Sequence, residues 1–168
     1  MTAKIMDIEP HAEAIDSGIA ANARKKIASE LVSVLADTTA LMLKTQACHW
    51  NVVGPTFFSL QKLTEEQYNN LFAAADVLAE RIRALGTPAP FNLRMLMEKA
   101  HLSEEKDLRT TRGMIAKLVA DNETVVRNMR VVAKTADEAG DFVTTDMLAA
   151  RMAYHEKAIW MLRSVVAE

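Results

Sequence analysis

The placement of glycine and proline constrains this chain more than any other feature. Gly18, the pair Gly54-Pro55, the run GTPAP at 86–90 and Gly140 divide the sequence into long stretches, and only Gly113 falls inside one. These are the residues a helix interior tolerates least, so their absence elsewhere leaves room for long helices. Apolar residues between the breaks follow the helical period. Ile19, Ala23, Ile27, Leu31, Leu35, Thr38, Leu41, Thr45 and Cys48 trace the inner face of a first helix, with His49 beside its end. Leu60, Leu63, Leu71, Phe72, Ala75, Leu78, Ala79, Ile82 and Leu85 trace a second. Leu108, Ile115, Leu118, Val119, Val125, Val126, Met129 and Val132 mark a third, and Met147, Leu148, Tyr154, Ala158, Ile159, Leu162 and Val166 a fourth.

No segment alternates polar and apolar residues long enough for a strand. Helices of about 25–30 residues, against the usual 11–12 or so, pack as an antiparallel bundle when short turns join them. The connection from Thr87 to Ser103 is too long for a tight turn, and FNLRMLMEKA within it has room for a short helix. The second and third helices are therefore not simple hairpin partners. The expectation is an all-α chain: an antiparallel four-helix bundle over residues 19–168, with a short extra helix in the connection between the second and third helices, preceded by an arm at 1–18.

Half of the 168 residues are hydrophobic, enough for one soluble domain with its own core. The single Cys48 excludes an intrachain disulfide and suits the reducing cytoplasm. No apolar run approaches the roughly 20 residues of a membrane span, and the first residues lack the pattern of a secretory signal. The net charge of −2 gives no general pull toward nucleic acid. The arm sets Lys4 against Asp7, Glu9, Glu13 and Asp16, a balance that repels phosphate.

Asp76 and Glu80 stand four residues apart in AAADVLAERI, so a helix places both carboxylates on one face. Such a pair can chelate a hard or borderline cation; equally, Arg81 and Arg83 could tie them into salt bridges. His49, at a helix end beside Gly-Pro, reads either as a packing or capping residue or as a ligand. Imidazole with two carboxylates is an iron-binding set. Geometry restricts how the set could assemble. Asp76 lies 15 residues beyond Gln61, about 22 Å along a helix axis, while a short turn brings His49 back near Phe57–Gln61. If the three share a metal, an antiparallel second chain must supply the carboxylates, and two-fold symmetry then creates two such sites per dimer. Glu98-Lys99-Ala100-His101 is the single E-x-x-H match, where an intrachain di-iron bundle needs two, and is expected to be coincidental. Cys48 and the ten methionines read as core. Phosphate-binding loops and nucleophile elbows are lacking.

The run HWNVVGPTFFSLQKLTEEQYNNLFAAADVLAERIRALG, residues 49–86, resembles the signature of the Dps mini-ferritins, and HEKAIWMLRS resembles the family's last helix. The likeness covers residues 20–166 and leaves out the arm. It implies a ferritin-like bundle and a hollow dodecamer built from two-fold dimers. Each dimer interface would carry ferroxidase centres that oxidise Fe(II), typically with hydrogen peroxide, and the shell would store the ferric mineral. Matched by position, His49 is the first helix's ligand, Asp76 and Glu80 are the carboxylates from the dimer mate, and Trp50 is the aromatic beside the site. Where the family usually has a second histidine, this sequence has Gln61, so the second of two iron positions is expected to be weaker or water-mediated, with Gln61 and Glu65 as further candidate ligands. Glu65 and Glu66 match inner-surface acids that would nucleate mineral. Asp137 and Asp146 match pore acids; Phe142 replaces an intervening aspartate, with Asp141 adjacent. The competing readings are a nucleoid-associated, DNA-compacting shell with weakened ferroxidase activity and a shell whose iron site has decayed. The arm does not favour DNA, since Arg24, Lys25 and Lys26 form the basic cluster nearest the N-terminus.

Overall fold

A computed structural model of the chain describes residues 10–12, 14–103 and 110–167. Its elements are α1 (Ala21–Asn51), α2 (Phe57–Ala84), α3 (Leu93–Met97), α4 (Thr111–Glu138) and α5 (Phe142–Val165). All are helices, as expected, and the described residues contain no strand. The arm expected at 1–18 lies mostly outside the described residues, as does Leu108. Gly54 and Gly140 take φ of 104° and 72° at the turns that close α1–α2 and α4–α5, a region costly for residues with a Cβ. Gly113 sits in the first turn of α4, where its amide is capped by the Thr110 hydroxyl. No described helix is long and apolar enough to cross a membrane.

Contacts at the helix ends fix the topology. Val53, just past α1, exchanges two hydrogen bonds with the Thr111 hydroxyl at the start of α4, at 3.0 and 2.9 Å. Arg81, near the end of α2, reaches Asp141 at the start of α5 at 2.6 Å. So α4 runs antiparallel to α1, and α5 to α2. The chain must therefore travel the length of the bundle between α2 and α4, and α3 lies on that path.

Buried polar groups clamp this crossover. Asp37, fully buried on α1, accepts from the His101 backbone N–H at 2.6 Å, from His101 Nδ1 at 3.0 Å and from Asn128 Nδ2 at 2.8 Å. One helical stretch further, Lys44 and Lys117 both pair with buried Asp121, at 2.7 and 2.9 Å, and both also reach Ser103. His101 is thus a structural partner of Asp37.

The core fills the space between the helices with Ile27, Leu31, Leu41, Leu60, Leu78, Ile82, Ile115, Met129, Leu148 and Leu162, all essentially inaccessible. Each such side chain stabilises the fold by about 1.5–3 kcal/mol relative to exposure. Two residues expected in the core lie outside it: Met95, on the short α3, is 62% exposed, and Phe72 is 69% exposed. Leu71, Ala74, Leu78 and Ile82 take the inner stripe of α2. A rotation of about 100° per residue turns Phe72 onto the outer stripe that carries Asp76 and Glu80.

Candidate metal centre

His49 occupies the last turn of α1, and α2 folds back beneath it. Its Nδ1 lies 3.0 Å from the Gln61 main-chain oxygen and 3.3 Å from the Thr64 hydroxyl. Thr64 is fully buried and donates its own proton to the Leu60 carbonyl at 2.7 Å. The Tyr68 ring meets the imidazole edge-on, centroids 5.4 Å apart. Glu65, in the same turn, pairs with Lys62 at 2.9 Å. Its carboxyl is held below the usual range by the Lys62 hydrogen bond and charge, with a further contribution from His49. His49, Gln61 and Glu65 therefore gather at one corner. Trp50, Phe57 and Phe58 stand exposed around it.

Asp76 and Glu80 are exposed further along α2. Thr64 and Asp76 are 12 residues apart, about 18 Å along the axis. Among the described residues no three His, Cys, Asp or Glu side chains of one chain come together to hold a metal. The salt-bridge alternative through Arg81 is not realised, because that guanidinium binds Asp141 and, at 2.8 Å, the Thr144 hydroxyl. Arg83 donates to the His11 carbonyl. Glu80 instead borders an open groove of about 590 Å³ with Val77, Phe142, Val143 and Asp146. One chain thus offers an imidazole end and a carboxylate end, spaced along the exposed side of α2 with Phe72 between them.

The other sequence candidates separate clearly. Glu66 is exposed, and its charge adds to burial in pushing the Tyr154 hydroxyl up to about 12. Asp137 and Asp146 are exposed where α4 ends and α5 begins, and Phe142 beside them is 73% exposed. Asp141, grouped with them as a pore acid, is only 1% exposed. It caps α5 by accepting from the Thr144 N–H at 3.0 Å and from the Thr144 hydroxyl, and it pairs with Arg81. Burial opposes its ionisation, but the hydrogen bonds from Arg81 and Thr144 and the Arg81 charge outweigh that and hold the carboxyl below its ordinary value. Its oxygens are committed to joining α5 to α2, which leaves Asp137 and Asp146 as the exposed acids of the three. Cys48 is buried, which pushes its thiol up to about 11 and keeps it unreactive.

Thr64 and Tyr68 contact His49 and carried no assigned role in the sequence reading. Their positions, 15 and 19 residues beyond the histidine, become adjacent only once the α1–α2 hairpin closes.

Comparisons with known proteins agree with this architecture. Residues 28–168 match the ferritin-like domain family. The chain is 39% identical over 154 residues to a low temperature-induced protein of Nostoc sp., covering 90% of this chain and 86% of the relative. It is 36% identical over 140 residues to the DNA protection during starvation protein of Brevibacillus brevis, covering 80% and 94%. The crystal structure of a Dps protein from Bacillus brevis superposes with a TM-score of 0.82 at 33% identity, covering 87% of this chain and 98% of that one. The Dps protein of Vibrio cholerae O1, described as a member of a broad superfamily of ferritin-like diiron-carboxylate proteins, gives 0.84 at 27% identity, covering 94% and 99%. With its helical bundle, its long crossover and these relatives, the chain belongs to the Dps family of ferritin-like mini-ferritins.

Proposed function

We propose that this protein oxidises Fe(II) at sites shared between two subunits and stores the ferric product inside a dodecameric shell in the cytoplasm. The observation that carries the reading is the separation of the candidate ligands along the α2 axis. His49 sits at one end and Asp76 with Glu80 at the other, all on a surface bordered by exposed Trp50, Phe58, Phe72 and Val77. An apolar surface of this kind favours burial against a partner. A second copy running antiparallel would bring its carboxylates to this chain's imidazole and take this chain's carboxylates to its own. Relatives described as diiron-carboxylate and DNA protection proteins support the same chemistry.

Iron is the substrate here. Neutral imidazole and two carboxylates suit Fe(II), and carboxylate charge favours the more highly charged Fe(III) product. With hydrogen peroxide as oxidant, two Fe(II) each give one electron, the O–O bond breaks, and two protons complete two waters. Delivering both electrons together avoids the hydroxyl radical that a single iron would release. Protection of DNA then follows from removing the reagents of damage, without a requirement for the acidic arm to touch DNA. Gln61 offers a neutral amide oxygen in place of a nitrogen ligand, so the second iron is held more weakly or through water. Asp137 and Asp146 would line an entry channel by electrostatic attraction, narrowed by Phe142; Glu65 and Glu66 would seed the mineral.

The test is ferric absorbance after anaerobic addition of Fe(II) and peroxide. The protein should outpace buffer by a wide margin, and joint alanine substitution of Asp76 and Glu80 should remove the difference. An equal rate in buffer, or full activity in the double variant, contradicts the proposal.

A further inference from the structure

We propose that Thr64 is a positioning residue that sets the tautomer and aim of His49; this rests on the reading of His49 as an iron ligand. A carbonyl oxygen can only accept a hydrogen bond, so the ring nitrogen 3.0 Å from the Gln61 carbonyl carries the proton. The Thr64 hydroxyl has one proton, already given to the Leu60 carbonyl at 2.7 Å. Its lone pair therefore accepts from the same Nδ1–H at 3.3 Å. Two acceptors on α2 thus hold the neutral imidazole as the Nδ1–H form, with the Nε2 lone pair on the opposite edge. The Tyr68 ring, edge-on at 5.4 Å and 76°, limits rotation of the imidazole.

Two consequences separate the residues involved. Residue 61 acts on His49 through its main chain, so replacing the glutamine side chain leaves the ligand's tautomer and aim unchanged. Thr64 acts through its side-chain hydroxyl, which is fully buried and has no substitute once removed. Losing such an outer hydrogen-bond partner typically lowers metal affinity by about 10–100-fold. The lower end is expected here, because the Gln61 carbonyl remains.

The experiment uses the assembled, iron-free protein with 15N-labelled histidine. Solid-state NMR reads the tautomer without any metal, and calorimetry with Co(II) alone reads ligand strength. Wild type should show a protonated Nδ1 and a bare Nε2 at the His49 resonances, identified by their loss in His49→Ala. Thr64→Val should add a minor Nε2–H population, the Gln61 carbonyl still holding most of the ring as Nδ1–H, and give about 10-fold weaker Co(II) binding. Thr64→Ser should restore both, and Gln61→Ala should leave the tautomer as in wild type. Thermal melts confirm that each variant is folded. A Thr64→Val protein with wild-type tautomer and affinity overturns the proposal, as does a Gln61→Ala protein that shifts the tautomer. Unchanged Co(II) binding in His49→Ala overturns the ligand reading instead, a failure the metal-free spectra keep distinct.

Discussion

Two buried ionisable groups, Asp141 capping α5 and His155 within it, are treated in opposite ways, and acid should expose the contrast. Asp141 is charged, capped and paired with Arg81, so Asp141→Ala removes a helix cap and strands a guanidinium. A loss of about 2–4 kcal/mol is expected, read from the shift in denaturation midpoint. Because its folded carboxyl is held low, its contribution is complete above the ordinary carboxylate range and disappears as the pH falls through the lowered value. His155 is fully buried and neutral, its Nδ1 donating to Asn122 Oδ1 at 2.8 Å. Burial, helped by the Arg151 charge, pushes it down to about 3. The unfolded chain takes up that proton near pH 6.5, so wild-type stability should fall between there and about 3. The slope is up to about 1.4 kcal/mol per pH unit for this one group. Urea unfolding at pH 7 and pH 5 should show a smaller loss in His155→Gln than in wild type; equal losses would count against it. The same scale limits what a sequence discloses. His49, Asp76 and Glu80 stand out as polar residues within apolar helices, but Asp141 was placed beside a pore because neighbours in sequence do not reveal which way a carboxylate turns. Nothing in the local sequence marks Thr64, which meets His49 only once the hairpin closes.

Among the elements, periodicity made the long helices legible and the length of the 87–103 segment revealed the crossover. The clamp that holds that crossover was not legible, since it depends on residues 64 positions apart, Asp37 and His101. Phe72 shows the limit of counting apolar residues: next to buried Leu71, it faces outward because the helix rotates between them. The clamp carries its own prediction. Asp37→Ala leaves the His101 amide without its acceptor and Asn128 with Ser33 alone, and should cost about 2–4 kcal/mol. Hydrogen exchange should rise most in residues 98–103 and less in α2. Uniform exchange throughout the bundle would mean that Asp37 supports the whole core and has no special role in the crossover.

On the scale of the whole molecule, the proposed subunit contact on the exposed side of α2 would bring together the proposed ligands, His49 at the end of α1 and Asp76 with Glu80 on α2. Phe72→Glu should therefore disperse the assembly and abolish iron oxidation together, seen by light scattering and ferric absorbance on the same sample. A dispersed protein that still oxidises iron would separate assembly from activity and refute the shared site. Subunit mixing tests the central claim most directly. Take His49→Ala and the Asp76→Ala/Glu80→Ala double variant, each inactive alone, and co-refold them in equal amounts. If two chains build each site, a mixed dimer pairs the intact imidazole of one with the intact carboxylates of the other. With half the dimers mixed and one good site in each, about a quarter of the wild-type rate should return. If each chain builds its own site, no chain carries a full set, and the mixture will be as inactive as its parents.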